Sequence, residues 1–169
     1  MGAFKDIIEG SEAYAEAFSH GDLSALPAAR LVIVTCMDTR IDPLAIFGLE
    51  IGQAHVLRNA GARVTPDVIR SLIKSINQLE VERIVVMHHT DCGAAKIRIG
   101  GLRDAVTAAT GNDPSNVEFH LIGDPEVALA TDIDAIRSCP YFPVGTAVAG
   151  MSYDVRTGVV TTLHDTHVA

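Results

Sequence analysis

The chain has no tryptophan and only three cysteines among its 169 residues. Cys36, Cys92 and Cys139 are too few, and odd in number, for a disulfide-stapled secreted domain, so we expect a reducing, cytoplasmic setting. No run of about 20 apolar residues is present, and we predict no membrane-spanning segment. The first residues also lack the basic stretch and apolar run of a secretory signal, which favours a soluble protein.

Positive charge is scarce as well. Thirteen Lys and Arg residues face 21 Asp and Glu residues, which gives a formal net charge of −8, and there is no basic run. We therefore expect no nucleic-acid partner, because neutralising a phosphate backbone requires clustered cations. The acidic balance suits a small neutral substrate, which needs no electrostatic steering.

Apolar side chains, by contrast, are abundant. They make up 48% of the residues, and the mean hydropathy is +0.26. A chain of this length and composition predicts one folded domain over residues 1–169 with ample core. The positive hydropathy also indicates apolar surface that is buried between subunits.

The order of hydrophobic patterns predicts an α/β fold. Residues 31–35 and 83–87 are apolar, β-branched runs typical of strands buried on both faces, and residues 55–58 give a third strand. A helix begins at Pro66 and carries one apolar stripe, formed by Ile69, Leu72, Ile73, Ile76 and Leu79. Alternating strands and helices favour a mainly parallel central sheet flanked by helices.

The ends of the chain are less regular. Residues 4–19 predict an amphipathic helix that ends near Gly21 and packs on a partner subunit. Further helices are predicted near residues 101–110 and 124–138, separated by a polar loop at 111–115. Residues 144–155 and 159–163 flank a short turn with Gly158, so we predict a C-terminal antiparallel strand.

Reactive side chains follow two of the predicted strands. Cys36 directly follows the strand predicted at 31–35, and His89 and Cys92 follow the strand predicted at 83–87. The carboxyl ends of parallel strands are where α/β sheets bind ligands. Two cysteines and one histidine can hold zinc, with the fourth position open as in a catalytic site. Two other interpretations stand beside this one: packing of buried cysteines, and redox or nucleophilic chemistry of Cys36 or Cys92 near His89.

Four short motifs, in order along the chain, resemble those of the β-class carbonic anhydrases. Any one of them is weak evidence, but the set is highly specific and covers residues 30–95 and 144–165, whereas residues 97–140 match only loosely. The four motifs are Cys36-Met37-Asp38-Thr39-Arg40, Arg58-Asn59-Ala60-Gly61, His89-Thr90-Asp91-Cys92-Gly93 and Tyr153-Asp154-Val155-Arg156-Thr157-Gly158.

The resemblance implies a zinc enzyme that assembles as a homodimer, a homotetramer or a larger even-numbered oligomer. It makes Cys36, His89 and Cys92 the ligands of Zn²⁺. The implied reaction is the hydration of carbon dioxide to bicarbonate by a zinc-bound hydroxide.

Further residues of these motifs take roles next to the metal. Asp38 can accept a hydrogen bond from the nucleophile, and Arg40 can hold Asp38 ionised and away from the zinc through a two-pronged hydrogen bond. An ordinary surface ion pair is the alternative for these two residues. Asn59 and Gly61 are candidate substrate-binding residues, with a purely structural turn as the alternative.

The substrate is left open between carbon dioxide and its sulfur analogues. Carbonyl sulfide and carbon disulfide are also small electrophiles open to the same attack. Many members of the family have glycine immediately before the histidine ligand, where this chain has His88, and the His-His-Thr-Asp-Cys run resembles a branch that includes carbonyl sulfide hydrolases. A non-catalytic zinc protein and a redox thiol protein are more distant alternatives.

Four other residues are expected to take no part in the chemistry of the site. His164 and His167 are predicted to lie in an exposed C-terminal tail. Cys139 is expected to be a buried or loop thiol without chemistry, and Asp91 is expected only to accept local backbone hydrogen bonds.

Overall fold

A computed structural model describes residues 2–169 of the chain. It contains five strands, five α-helices and one 3₁₀ turn within that range. In chain order these are α1 (Lys5–Glu16), β1 (Leu31–Cys36), α2 (Pro43–Ile46), β2 (Ala54–Asn59), α3 (Pro66–Gln78), β3 (Arg83–His89), the 3₁₀ turn (Ala94–Lys96), α4 (Ile99–Thr110), α5 (Pro125–Arg137), β4 (Ala147–Tyr153) and β5 (Val160–His167).

The strands form one sheet in the order β2-β1-β3-β4-β5. The pairs β1–β2, β1–β3 and β3–β4 are parallel, and β5 pairs antiparallel with β4. The predicted α/β fold, with its mainly parallel sheet and C-terminal antiparallel strand, is confirmed. The two central strands, β1 and β3, therefore end side by side at the same edge of the sheet.

Both faces of the sheet are covered. Every residue of β1 is buried, and all but the first residue of β3 is buried, as the apolar runs predict for strands inside a sheet. Alternate side chains point to opposite faces: Val32 and Ile84 join the core beneath α3 and α5, whereas Ile33 and Val85 join a second core beneath α2 and its neighbouring loops.

In helix α3, the local sequence determines both where the helix begins and which face is buried. Thr65 is its N-cap and accepts a hydrogen bond from the backbone N–H of Val68, and Pro66 occupies the first turn, where its missing N–H costs nothing. The predicted apolar stripe faces the core, with Leu72 and Ile76 buried. The helix ends at Gln78, so Leu79, which we predicted as the last member of the stripe, is the C-cap residue.

Helix α1 is present but shorter than predicted, and it buries none of its residues. Its apolar side chains, together with those that flank it, are exposed: Phe4, Ile7, Ile8, Tyr14 and Phe18. The predicted contact with a partner subunit lies beyond a single chain and stays a prediction. Within residues 2–169, no helix has the length and apolarity needed to cross a bilayer.

The C-terminal segment differs from its prediction. We expected His164 and His167 in an exposed tail, but β5 continues to His167 and pairs along β4 as far as Ala147. His164 lies opposite Gly150, where an added Cβ would come within 3.0 Å of the His164 ring. Backbone pairing with β4, rather than an apolar pattern, extends this strand.

The remaining differences are small. The helices predicted at 101–110 and 124–138 are α4 and α5, whose ends differ from the predicted ends by at most two residues. Helix α2 and the 3₁₀ turn had no prediction. Asp42 caps α2 by accepting from the backbone N–H of Ala45, and Pro43 starts it.

Candidate metal centre

Three metal-ligating side chains meet where β1 and β3 end. Cys36 is the last residue of β1, His89 is the last residue of β3, and Cys92 follows three positions later. Their ligand atoms lie within 4.8 Å of one another, and all three residues are buried. Because β1 and β3 are adjacent and parallel, the sheet brings together residues more than 50 positions apart in sequence.

The spacing of these atoms fits a zinc ion. The sulfurs of Cys36 and Cys92 are 3.9 Å apart. Two ligands of a tetrahedral zinc ion, each with a Zn–S bond of about 2.3 Å, would stand about 3.8 Å apart. The same separation is far longer than a disulfide bond, and all three cysteines of the chain are free.

His89 is oriented for metal binding. Its Nδ1–H donates to the carbonyl oxygen of Thr90 at 2.9 Å, which leaves the lone pair on Nε2. Nε2 is buried and has no hydrogen-bond partner within the chain. Burial lowers the pKa of His89, so the ring is neutral at physiological pH, as a metal ligand must be.

Burial and metal coordination act in opposite directions on the Cys92 thiol. Burial raises the pKa of the Cys92 thiol above its ordinary value. A divalent cation reverses this effect, because coordination deprotonates a thiol outright. The backbone N–H of Gly61 donates a hydrogen bond to the sulfur of Cys36 at 3.4 Å.

Asp38 flanks the three ligands and is held by Arg40. The guanidinium donates through Nε to Oδ1 at 2.9 Å and through Nη2 to Oδ2 at 2.8 Å. These bonds keep the pKa of Asp38 well below its ordinary value. Oδ2 lies 3.9 Å from Nε2 of His89, and the Asp38 side chain is only 16% exposed. The pair thus adjoins the ligand cluster and differs from an ordinary surface ion pair.

Asp91 has a larger role than the sequence suggested. Instead of accepting only local backbone hydrogen bonds, its carboxylate contacts Lys96 and accepts from Nη1 of Arg40 at 3.1 Å. The hydrogen bonds from Lys96, and then from Arg40, lower the pKa of Asp91 to about 2. Arg40 therefore lies between two carboxylates, one after each central strand.

The Arg58–Gly61 motif supports the first strand end. The Arg58 side chain donates to the carbonyl oxygens of Cys36, at 3.0 Å, and of Asp38, at 2.7 Å. The Asn59 side chain is used within the turn, since it donates to the carbonyl of Arg63 and accepts from the Arg63 N–H. Gly61 lines a cavity beside His89 and Cys92. Substrate binding by Asn59 and Gly61 stays a prediction.

A buried polar cluster behind this turn had no prediction. Asp132, in α5, accepts from Nε of Arg63 at 2.8 Å and contacts Nε2 of His88 at 3.2 Å. It also accepts from the backbone N–H of Val64 at 3.0 Å. Arg63 and Asp132 are 69 positions apart, and neither shows a local sequence signal that could have paired them.

The cavity beside the ligands has a volume of about 590 Å³. Ile122, Leu129 and Leu163 supply apolar parts of its lining. Among residues 2–169, the Cys36, His89 and Cys92 cluster is the one group of three or more potential ligands with this close spacing, and neither His164 nor His167 belongs to such a group. Cys139 is buried in the core away from this site, as expected.

Comparison with known proteins agrees with these features. The family model described as carbonic anhydrase matches residues 31–115. β-Carbonic anhydrase 1 of Mycobacterium tuberculosis is 35% identical over 154 residues, which cover 90% of this chain and 93% of that protein. A carbon disulfide hydrolase of Acidithiobacillus thiooxidans is 29% identical over 150 residues, covering 76% of this chain and 74% of that protein.

A solved structure extends the similarity to nearly the whole chain. The crystal structure of a carbonic anhydrase from Streptococcus mutans has a TM-score of 0.90 to this chain at 38% sequence identity. The match covers 97% of this chain and 99% of that one. The region around residues 97–140, which resembled the family only loosely by motif, is therefore included in the shared fold.

Proposed function

Since this chain belongs to the β-class carbonic anhydrase family, we propose that it binds one zinc ion through Cys36, His89 and Cys92 and hydrates carbon dioxide to bicarbonate. The observation that carries this proposal is the position of the buried ligand cluster directly beside an Asp38 side chain that Arg40 holds. A structural zinc site needs no such ion pair, which argues against a non-catalytic metal protein.

The chemistry divides between the metal and the chain. Zinc bound by three protein ligands supplies the acidification of water that makes a nucleophile available near neutral pH. Two thiolates and one neutral imidazole bring the net charge of the centre close to zero, so this acidification is weaker than at a three-histidine site. Activity should therefore rise on the alkaline side of neutrality.

Asp38 orients the attacking oxygen. Its carboxylate is ionised near neutral pH, because the hydrogen bonds from Arg40 keep its pKa well below the ordinary value. An ionised carboxylate can accept the hydrogen of the attacking oxygen and thereby direct a lone pair toward the carbon of the substrate. Arg40 fixes both carboxylate oxygens and keeps Asp38 from turning toward the ligand cluster to become a further ligand.

The cavity suits a small, neutral, apolar molecule. Side chains such as Ile122 and Leu163 line it, and it extends to His89 and Cys92. No charge on the substrate is needed for entry, which fits the acidic composition of the chain.

Hydrolysis of carbonyl sulfide or carbon disulfide, with release of hydrogen sulfide, is a second candidate function. Two observations favour it: the similarity to a carbon disulfide hydrolase, and His88 immediately before the ligand His89. The two reactions use the same attack on a small electrophilic carbon. The ligand set is therefore common to both.

A side-by-side assay decides between these functions. The zinc-loaded protein is tested for carbon dioxide hydration and for hydrogen sulfide release from carbonyl sulfide and carbon disulfide, with the Asp38→Asn variant as a matched control. Rapid hydration without hydrogen sulfide supports the first function, and the opposite result supports the second. A protein that is active when free of zinc would contradict both and favour a redox thiol protein.

We also propose that the chain works as a homodimer or homotetramer in the cytoplasm. The support for assembly comes from α1. This helix buries none of its residues in the single chain, and its large apolar side chains are exposed to solvent. Phe4 and Ile7 are 69% and 66% exposed, and a second subunit would remove them from water. Three free cysteines, two of them proposed metal ligands, fit a reducing compartment.

A further inference from the structure

The turn after β2 is strained. Gly61 has a φ of 91° and Ala62 has a φ of 59°, so two successive residues lie in the left-handed region. Glycine adopts this conformation readily, but alanine does so at a cost, and Ala62 is completely buried. Such a conformation persists only where its surroundings hold it in place.

The side chain of Asp132, in helix α5, holds this turn in place. Oδ1 accepts from the backbone N–H of Val64 at 3.0 Å, and Oδ2 accepts from Nε of Arg63 at 2.8 Å. Both donors belong to the two residues directly after Ala62. Asp132 lies in the interior of α5 and is 2% exposed, so these bonds are formed away from water, where they are strong.

Arg63 also contacts the segment before α5. Its Nη1 donates to the carbonyl of Leu121 at 2.9 Å, next to Ile122. Ile122 packs closely against Gly61, because a Cβ added at Gly61 would lie 2.6 Å from Cδ1 of Ile122. The turn is thus enclosed by one helix and by the chain segment that leads into that helix.

The turn presents one donor to the proposed metal ligand. The N–H of Gly61 points at the sulfur of Cys36 at 3.4 Å. A hydrogen bond to a thiolate withdraws charge from the sulfur, which changes how strongly that sulfur binds a metal and how strongly the metal acidifies water. The position of Gly61 therefore affects the electronic properties of the centre.

We propose that Asp132 is a positioning residue for the metal centre: through Arg63 and Val64 it fixes the strained turn that directs the Gly61 N–H at the sulfur of Cys36. This inference rests on the proposed metal site. Asp132 touches none of the proposed ligands, although it contacts Nε2 of His88, which lines the cavity and directly precedes His89. Because Arg63 takes no part in that contact, a variant at Arg63 tests the route through the backbone of the turn separately.

The test measures two quantities: the affinity for zinc, and the NMR frequency of cadmium-113 bound in its place. In the Asp132→Asn variant, the amide can still accept from Val64 but cannot accept from Arg63 with the same atom. We expect the zinc affinity to fall by about 10- to 100-fold, as is typical when a group that orients a ligand is lost. We also expect the resonance of cadmium-113, bound at saturation in place of zinc, to move, because its frequency depends on thiolate donation.

Two further variants separate positioning from general stability. Ile136→Ala removes a fully buried side chain from the same helix without touching the turn, and it should lower the melting temperature yet leave the cadmium resonance in place. Arg63→Lys retains a cation beside Asp132 but loses the planar fork, and it should move the resonance in the same direction as Asp132→Asn, by less. If Asp132→Asn does not fold, Arg63→Lys decides alone.

The outcomes are distinct. If the wild-type protein binds zinc and cadmium but the resonance and the affinity are unchanged in the folded Asp132 or Arg63 variants, the positioning role is overturned and the proposed function stands. A resonance that moves equally in Ile136→Ala also overturns it. If the wild-type protein binds neither metal, the proposed metal site fails and this inference fails with it.

Discussion

Arg40 donates to both carboxylate oxygens of Asp38, through Nε at 2.9 Å and through Nη2 at 2.8 Å, while a second carboxylate, that of Asp91, accepts from its Nη1 at 3.1 Å. Arg40 is thereby fixed from both central strand ends. Its orientation toward Asp38 does not depend on one contact alone. Asp38 in turn lies 3.9 Å from Nε2 of His89, which places an oriented carboxylate at the edge of the ligand cluster.

The first prediction concerns this pair. Asp38→Asn and Arg40→Ala should each retain one zinc ion per chain, because neither residue belongs to the ligand set. Turnover should fall by about 100-fold or more, since the attacking oxygen loses its orientation. Metal analysis and the hydration assay check this prediction. The matched control is Asp67→Asn, a substitution of an exposed residue in helix α3. Unchanged turnover would remove both residues from the mechanism.

The second prediction concerns pH. Because the pKa of Asp38 is well below its ordinary value, Asp38 is ionised throughout the range from pH 6 to 9 and contributes no rise there. The rise comes instead from the acidification of water at a centre that two thiolates bring close to neutral. Activity should therefore increase above neutral pH, as measured by stopped-flow hydration. Circular dichroism at each pH controls for unfolding, and a flat profile from pH 6 to 9 would contradict the prediction.

The third prediction concerns the glycine beside Cys36. Gly61→Ala should lower the free energy of unfolding by about 1–3 kcal/mol, because the added Cβ meets Ile122 and because φ is positive there. It should also weaken zinc binding, since the N–H at position 61 moves away from the sulfur of Cys36.

Urea unfolding and zinc titration check the third prediction. Gly100→Ala is the matched control, because nothing lies within 4 Å of its added Cβ and Gly100 belongs to a helix. That control should be neutral or slightly stabilising. If Gly61→Ala behaves like Gly100→Ala in both measurements, the tight packing of the turn has no influence on the site.

The fourth prediction concerns assembly. Sedimentation should find a dimer or tetramer at micromolar concentration. The double substitution Ile7→Glu and Ile8→Glu should shift the protein toward the monomer, because it places two charges on the exposed apolar side of α1. Glu12→Gln, at a polar position of the same helix, should leave the association unchanged. A wild-type monomer at that concentration would contradict the proposed interface.

Much of the site could be predicted because its residues stand at places that local sequence determines. Cys36 and His89 end apolar, β-branched runs that are typical of buried strands, and parallel strands bring such ends together. Asp38 and Arg40, by contrast, were predicted from the resemblance of their motif to that of the β-class carbonic anhydrases. Helix α3 was equally clear, because its cap and its apolar stripe agree.

The remainder depends on contacts between distant residues. Nothing near Asp132 indicates that an acidic residue in a helix is buried against Arg63, 69 positions earlier. Similarly, β5 reaches His167 because its backbone pairs with β4, although its side chains lack the pattern of a buried strand. Asp91 contacts Arg40 only because two strand ends adjoin.

The position of the ligands at the ends of β1 and β3 and in the loop after β3 has a consequence for folding. Cys36 and Cys92 are 56 positions apart, and an ion held by both would act as a cross-link that closes a long loop of the chain. A cross-link of this kind restricts the conformations of the unfolded chain, and a longer loop gives a larger effect. Metal supply and the survival of newly made protein would thus be coupled, since a chain without its ion would unfold, and be degraded, more readily than a loaded one.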